Sequence, residues 1–137
     1  MKHISKIHIR FSDIDTFGHV NNATYLTYFE EARVKFFDEV VEWGYDWSKE
    51  GVILARAKID FVQPVHFRDD ITIYTACHRI GTKSFDLIYQ MVKFIEEKEI
   101  LLASATTVMV AYDYQEKKSI SIPEKWKLTL ASCLDTE

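Results

Sequence analysis

One segment of this chain has the hydrophobic spacing of a helix, whereas most other apolar segments have the spacing of a strand. Between residues 23 and 42, large apolar side chains recur at steps of three and four, which predicts one amphipathic helix about 30 Å long. The stripe consists of Tyr25, Phe29, Ala32, Phe36 and Val40. Asn21 or Asn22 is the expected N-cap of this helix, and Gly44 is the expected stop after its end.

Apolar and polar residues alternate in the segments on either side of this helix. The alternation predicts strands at residues 4–11, 53–61, 71–79, 85–93 and 100–112. A hairpin turn is expected at residues 80–83, and a short helix near residues 126–130. The order is one strand, one long helix and then a meander of four strands. It predicts an α+β fold in which an antiparallel sheet wraps the apolar face of a central helix.

Length and charge narrow the class of protein. A chain of 137 residues is expected to form a single domain spanning residues 1–137. The formal net charge of -4 predicts no basic face for nucleic acid. No apolar run approaches the roughly 20 residues of a membrane-spanning helix. The first ten residues alternate with polar side chains and do not resemble a secretory signal, so a cytoplasmic, reducing location is the expectation.

Several catalytic motifs are missing from the sequence. The 4 glycines are too far apart for a dinucleotide-binding loop, a P-loop or a GxSxG nucleophile elbow. There is no CxxC or HExxH motif, and the 5 histidines show no ligand spacing, so no metal site is expected. Any catalysis is therefore expected to depend on a carboxylate, without a cofactor.

A dense polar block, DIDTFGHVNN at residues 13–22, lies where the first strand gives way to the helix. The main-chain N–H groups at a helix start are unpaired and carry partial positive charge. A carboxylate beside such donors is suited to attack on a carbonyl group, because the donors stabilise the oxyanion that forms. Gly18 is free to take a positive φ, which a sharp loop in this block would need.

This block, followed by Tyr25 and by YFEEAR at residues 28–33, resembles the hotdog-fold acyl-CoA thioesterases of the 4-hydroxybenzoyl-CoA thioesterase type. Weaker matches at residues 61–65, 80–85 and 122–123 extend the resemblance along nearly the whole chain. The resemblance implies a sheet of about five strands curled around the helix, and homodimers with active sites at the subunit interface, often paired into homotetramers. It also implies an acyl-CoA substrate, so that coenzyme A is part of the substrate.

The resemblance assigns roles within the polar block. The second aspartate of the family's motif is the catalytic carboxylate and corresponds to Asp15, which acts either as nucleophile or as general base for water. The main-chain N–H that polarises the thioester carbonyl corresponds to Asn22, and Gly18 shapes the loop that carries both. His19 either positions substrate or water or forms a hydrogen bond within the loop. Asp13 is expected to be structural.

Three further residues are candidates for substrate binding. Tyr25 falls on the apolar stripe, so the first interpretation is a position in the core. The second interpretation is a slot for the acyl chain beside it. Lys83 and Ser84 lie in a turn that, in the family, is near the pantetheine or nucleotide of coenzyme A.

Other functions remain as alternatives. The HVNN stretch at residues 19–22 is similar to that of plant acyl-ACP thioesterases, so an acyl carrier protein is an alternative donor of the acyl group. Those enzymes have an asparagine where this chain has Phe17, which argues against copying their catalytic scheme. A non-catalytic acyl-CoA-binding protein is the alternative from another class. An enoyl-CoA hydratase is disfavoured, because the block has no proline and places a histidine four residues after Asp15, where the hydratase motif has five.

Overall fold

The computed structural model describes residues 2–42 and 49–135. The α-helices are α1 (Thr24–Phe36) and α2 (Glu124–Ser132), and the strands are β1 (His3–Ile7), β2 (Glu50–Phe61), β3 (Ile71–Ile80), β4 (Ser84–Ile95), β5 (Lys98–Asp113) and β6 (Lys118–Ser119). No helix in these two ranges is both long enough and apolar enough to cross a bilayer.

The strands form one antiparallel sheet with the order β1-β3-β4-β5-β2, and the short β6 pairs with β5. The sheet curls around α1, which confirms the predicted α+β fold class. The predicted meander is wrong at one place, because β2 pairs with β5 rather than with β3. Residues 62–70 are too many for a tight hairpin and are anchored by Val65, which is fully buried. This connection therefore carries the chain from one edge strand to the interior strand β3.

Helix α1 contributes its apolar face to the hydrophobic core. The predicted stripe is buried in all but its last member: Val40 is only partly buried and lies in a π-helical turn, Phe37–Val41, that continues α1. The chain leaves this turn at Glu42 with a positive φ of 52°. The predicted stop, Gly44, lies outside the described residues.

The predicted side-chain N-cap of α1 is wrong. The N-cap residue is Ala23, which has no capping side chain. The main chain forms a turn just before the helix, so the carbonyl groups of Asn21 and Asn22 accept the N–H groups of Thr24 and Tyr25 at 2.9 and 3.3 Å. The amide oxygen of Asn21 accepts the Ala23 N–H at 2.9 Å. A main-chain turn thus accepts the hydrogen bonds of the Thr24 and Tyr25 N–H groups, which a capping side chain was expected to accept.

The end of the first strand also differs from the prediction. Strand β1 ends at Ile7, four residues earlier than predicted, because the chain tightens into a 3-10 turn at Phe11–Asp13. The N–H of Asp13 donates to the Arg10 carbonyl at 2.9 Å to close this turn. The short helix predicted near residues 126–130 is present as α2, which buries Trp126 and Leu130, whereas the two-residue strand β6 was not predicted.

Both cysteines are buried where the C-terminal segment joins β3. The Cys77 N–H donates to the Cys133 carbonyl at 3.1 Å, and the Asp135 N–H donates to the Cys77 carbonyl at 2.7 Å. Burial raises the pKa of the Cys77 thiol to about 11. Cys77 is a small residue of the core, since none of its surface is exposed.

We expect the native protein to resist thiol reagents at pH 8. A thiol reacts as its thiolate, and both burial and the raised pKa keep Cys77 protonated and out of reach. Titration with a chromogenic disulfide should give little reaction before unfolding and 2 thiols per chain in denaturant. A thiol that reacts rapidly in the native state would contradict this packing of the C-terminal segment.

Candidate active site

The polar block folds into a closed loop held by its own main chain. The Asp15 N–H donates to the His19 carbonyl at 2.8 Å, and the Gly18 N–H donates to the Asp15 carbonyl at 3.1 Å. Gly18 has a φ of 82°, and a Cβ placed there would meet no atom within 4 Å. Glycine is therefore required at this position for its backbone conformation rather than for space.

Asp15 has one carboxylate oxygen fixed and one available. Its Oδ1 accepts the main-chain N–H of Phe17 at 2.9 Å and that of His19 at 3.4 Å. No donor to Oδ2 exists among the residues that the structure describes. The loop therefore orients the carboxylate through one oxygen and leaves the other able to act on a ligand.

Asp13, two residues earlier, has a structural role, as predicted, through one carboxylate oxygen and its carbonyl group. Its Oδ2 accepts the Tyr28 hydroxyl at 2.6 Å and the Arg10 N–H at 3.0 Å. Its carbonyl accepts the Asn21 N–H at 2.9 Å. Burial, together with the hydrogen bond to the Asp13 carboxylate, raises the pKa of Tyr28. Asp13 thus ties the loop to the first two turns of α1.

A cavity of about 400 Å³ opens beside the loop. One wall is the loop with the start of α1, and the other is the end of β2 with the turn that follows it. The lining residues are Asp15, Phe17, His19, Val20, Asn22, Tyr25, Phe61, Val62, Gln63 and Pro64. The structure thus brings together Asp15, His19, Asn22 and Tyr25, which the sequence singled out.

Asn22, which lines this cavity, has a main-chain N–H without a described acceptor. The neighbouring N–H groups all have acceptors at 2.9–3.3 Å, namely those of Asn21, Ala23, Thr24 and Tyr25. The Asn22 N–H has no acceptor within residues 2–42 and 49–135. It lies just before the positive end of α1, so it is suited to hold a developing negative charge.

Tyr25 forms the apolar floor between the two walls. It is 2% exposed, and its ring meets the Phe61 ring edge to face with the centroids 4.9 Å apart. Burial raises the pKa of Tyr25, which therefore stays a neutral phenol. The expected core position is confirmed, and contact with a substrate stays a prediction.

Lys83 and Ser84 are far from the cavity in the same chain. Ser84 pairs with Val110 of β5, whereas Phe61 pairs with Ala103. Seven residues along β5 correspond to about 23 Å. The Ser84 hydroxyl accepts a hydrogen bond from Arg79 at 2.9 Å, and Arg79 is itself paired with Asp86 at 2.9 Å. No lysine or arginine is among the lining residues, so the cavity has no cation of its own chain for a phosphate.

His66 was not predicted as part of the site. It pairs through its main chain with His19, and the two imidazole rings meet edge to face with centroids 5.1 Å apart. A lone histidine 47 residues further along the chain carries no local signal that would place it there. Within the described ranges, no group of three or more His, Cys, Asp or Glu side chains could hold a metal ion.

We expect Tyr28→Phe to destabilise the fold by about 1.5 kcal/mol, because it removes a buried hydrogen bond to a carboxylate. Denaturant unfolding monitored by fluorescence would measure the change. Tyr112→Phe is the matched control, since no described residue bonds to the Tyr112 hydroxyl, and we expect a change within about 0.5 kcal/mol. Equal effects of the two variants would contradict the structural role of Asp13.

The chain is similar to known proteins over nearly its whole length. A family model described as the thioesterase-like superfamily matches residues 9–130. YsmA of Bacillus subtilis (strain 168) is 28% identical over 126 residues, covering 92% of this chain and 83% of YsmA. FadM of Escherichia coli (strain K12), a long-chain acyl-CoA thioesterase, is 24% identical over 121 residues, covering 86% of this chain and 89% of FadM.

The fold also matches solved structures. The crystal structure of the PA5185 protein from Pseudomonas aeruginosa strain PAO1 superimposes with a TM-score of 0.88 at 24% identity, covering 98% of this chain and 92% of that one. Both walls of the cavity, the polar loop and the end of β2, lie inside the matched residues 9–130.

Proposed function

The chain belongs to the thioesterase-like superfamily, and from this premise we propose that it hydrolyses acyl-CoA thioesters to a carboxylic acid and free coenzyme A. The family makes it a hotdog-fold thioester hydrolase, as the polar block predicted. The similarity to FadM supports coenzyme A as the carrier. The family description covers thioesterases in general, so the 4-hydroxybenzoyl-CoA type stays a prediction.

One observation carries this proposal: the cavity is lined by two residues, of which one has a carboxylate oxygen without a described donor and the other has a main-chain N–H without a described acceptor. Oδ2 of Asp15 has no described donor, and the Asn22 N–H has no described acceptor. Thioester hydrolysis needs both groups, because attack on the carbonyl carbon places negative charge on the carbonyl oxygen. In our proposal the Asn22 N–H donates to this oxygen, and Gly18 maintains the loop that holds Asp15 opposite.

Two chemical routes use the same groups. As general base, Asp15 removes a proton from a water that attacks the carbonyl carbon; the carbon–sulfur bond breaks, and the thiolate takes up a proton. As nucleophile, Asp15 itself attacks the carbonyl carbon; the carbon–sulfur bond breaks as the mixed anhydride forms, and the departing thiolate takes up a proton. Water then hydrolyses the anhydride to the carboxylic acid and regenerates Asp15. A single turnover in ¹⁸O water separates them. The first route labels the released acid directly, whereas the second labels Asp15 when water attacks the aspartyl carbonyl.

The edge strand β2 supports the proposed homodimer. Among the described strands only β5 pairs with β2, and Leu54 and Phe61 on β2 are 44% and 50% exposed. Leu26 on the adjacent face of α1 is 45% exposed. An unpaired edge beside an apolar strip is suited to pair with a second copy of itself. In our proposal two β2 strands pair antiparallel into one continuous sheet; assembly of two such dimers into a tetramer stays a prediction.

Antiparallel pairing would complete the site with a cation from the partner. It would place the N-terminal end of the partner's β2 beside the cavity at Phe61. The partner's Lys83 and Ser84 would then lie about three strand spacings away, about 14 Å. In the same chain they lie about 23 Å away along β5. The dimer thus offers the phosphates of coenzyme A a lysine that the single chain does not.

We expect Asp15→Asn to lower turnover at least about a hundredfold while leaving folding and ligand binding intact, because an amide is neither base nor nucleophile. The measurement is free-thiol release from short, medium, long and aromatic acyl-CoAs. Asp70→Asn is the matched control, since the Asp70 side chain is 84% exposed and outside the cavity.

Turnover of Asp15→Asn near the wild-type rate would contradict the catalytic assignment. If the wild type hydrolyses none of the acyl-CoAs, the panel should be repeated with acyl carrier protein thioesters and as a binding assay. Hydrolysis of the carrier-protein thioesters would identify an acyl-ACP thioesterase. Binding without hydrolysis would identify a non-catalytic acyl-CoA-binding protein.

We expect Lys83→Glu to raise KM for an acyl-CoA about tenfold, since it reverses a charge near the phosphates. The matching N-acetylcysteamine thioester, which lacks the nucleotide, should be unaffected. A co-refolded mixture of Asp15→Asn and Lys83→Glu chains should regain sites with the wild-type KM. In the mixed dimer, one intact Asp15 faces the partner's intact Lys83. No such sites would form if Lys83 served its own chain, and Lys125→Glu controls for net charge.

A further inference from the structure

We propose that His66 is a positioning residue that holds the ring of His19 in the cavity through an edge-to-face ring contact. The inference rests on the proposed thioesterase function and adds a residue that the polar block does not contain. His19 lines the cavity with Asp15, whereas His66 is not among the lining residues. In this proposal His66, which does not line the cavity, acts through His19, which does.

The main chain brings the two histidines together. The Val20 N–H donates to the Val65 carbonyl at 2.8 Å, and His19 and His66 form an antiparallel bridge next to this bond. Their ring centroids are 5.1 Å apart, with the ring planes at 85°. Aromatic rings prefer this edge-to-face geometry, because the electropositive edge of one ring meets the electronegative face of the other.

His66 is itself held by a partly buried ion pair. Its main-chain N–H donates to Oδ2 of Asp69 at 2.9 Å, and its ring Nδ1 lies 3.7 Å from the same oxygen. Lys93 approaches both oxygens of Asp69 at 3.3 Å, and the side chains of Lys93 and Asp69 are only 17% and 16% exposed. Strand β4 thus fixes Asp69, which fixes His66, although the His66 side chain is 53% exposed.

The main-chain hydrogen bonds of His19 do not fix the orientation of its ring. Its carbonyl accepts the Asp15 N–H at 2.8 Å, and its N–H donates to Asp15 Oδ1 at 3.4 Å, so its backbone is committed to the catalytic carboxylate. These bonds leave the ring free to rotate about its side-chain bonds. The His66 ring occupies one side of the His19 ring and thereby narrows its orientations toward the substrate or water.

The first test separates the contact between the two rings from the side-chain contact of His66 with Asp69. His66→Ala should lower kcat about tenfold with KM within twofold, since a misplaced group slows the reaction without weakening ground-state binding. His66→Phe keeps a ring and should retain kcat within twofold. His66→Asn keeps a side-chain donor near Asp69 but no ring, and should behave like His66→Ala. His8→Ala controls for loss of an exposed histidine outside the cavity.

The proposal is overturned if His66→Ala matches the wild type, or if His66→Asn retains activity while His66→Phe loses it. A second measurement does not depend on turnover. The His19 ring proton resonances in NMR spectra should move in His66→Ala and His66→Asn, because the neighbouring ring is gone, and should change less in His66→Phe. Unmoved His19 resonances overturn the positioning role even in an active enzyme. Absence of any wild-type turnover, with the resonances moving as expected, would instead reject the thioesterase proposal alone.

Discussion

The hydrogen bond from the Val20 N–H to the Val65 carbonyl, 2.8 Å long, joins the two segments that form the cavity. Val20 ends the polar loop, and Val65 lies in the connection between β2 and β3. Both side chains are buried, at 2% and 0% exposed, so the bond lies where water cannot compete for it. The core therefore fixes the positions of the two cavity walls, and the side chains between these walls remain available to a ligand.

The local elements could be predicted from the sequence, whereas the partner of each strand could not. The stripe from Tyr25 to Phe36 predicted α1 because helical periodicity is a property of neighbouring residues. Pairing of Phe61 with Ala103 joins residues 42 positions apart, and alternation in β2 is compatible with any neighbour. The predicted side-chain N-cap of α1 was wrong for a similar reason. An asparagine side chain and a main-chain turn can accept the same N–H groups, and the conformation of the loop decides which of them does so.

In the candidate site, too, residues close together in the sequence could be predicted, whereas contacts between distant segments could not. Asp15, Gly18 and Asn22 stand within eight residues, so a motif could identify them together. Without the resemblance, the sequence could not show which N–H group at the helix start lacks a described acceptor, because this depends on the hydrogen bonds that the neighbouring residues form. His66 could not be predicted either, because it reaches His19 only through the bridge beside Val65. Lys83 was selected by resemblance, and its separation from the cavity within one chain depends on the pairing of β4 and β2 with β5, which no local pattern reveals.

Asp13 and Asp15 show how one residue type can serve two purposes in a single loop. The Tyr28 hydroxyl and the Arg10 N–H both donate to Oδ2 of Asp13, and this carboxylate holds the loop against α1. Asp15 receives both of its described donors from the loop itself, on Oδ1, and Asp15 lines the cavity whereas Asp13 does not. The proposed reaction requires an Asp15 carboxylate that is rigidly held and has an oxygen available to the substrate. Asp13 fixes the loop against α1, and the loop in turn orients the Asp15 carboxylate through its main-chain N–H groups.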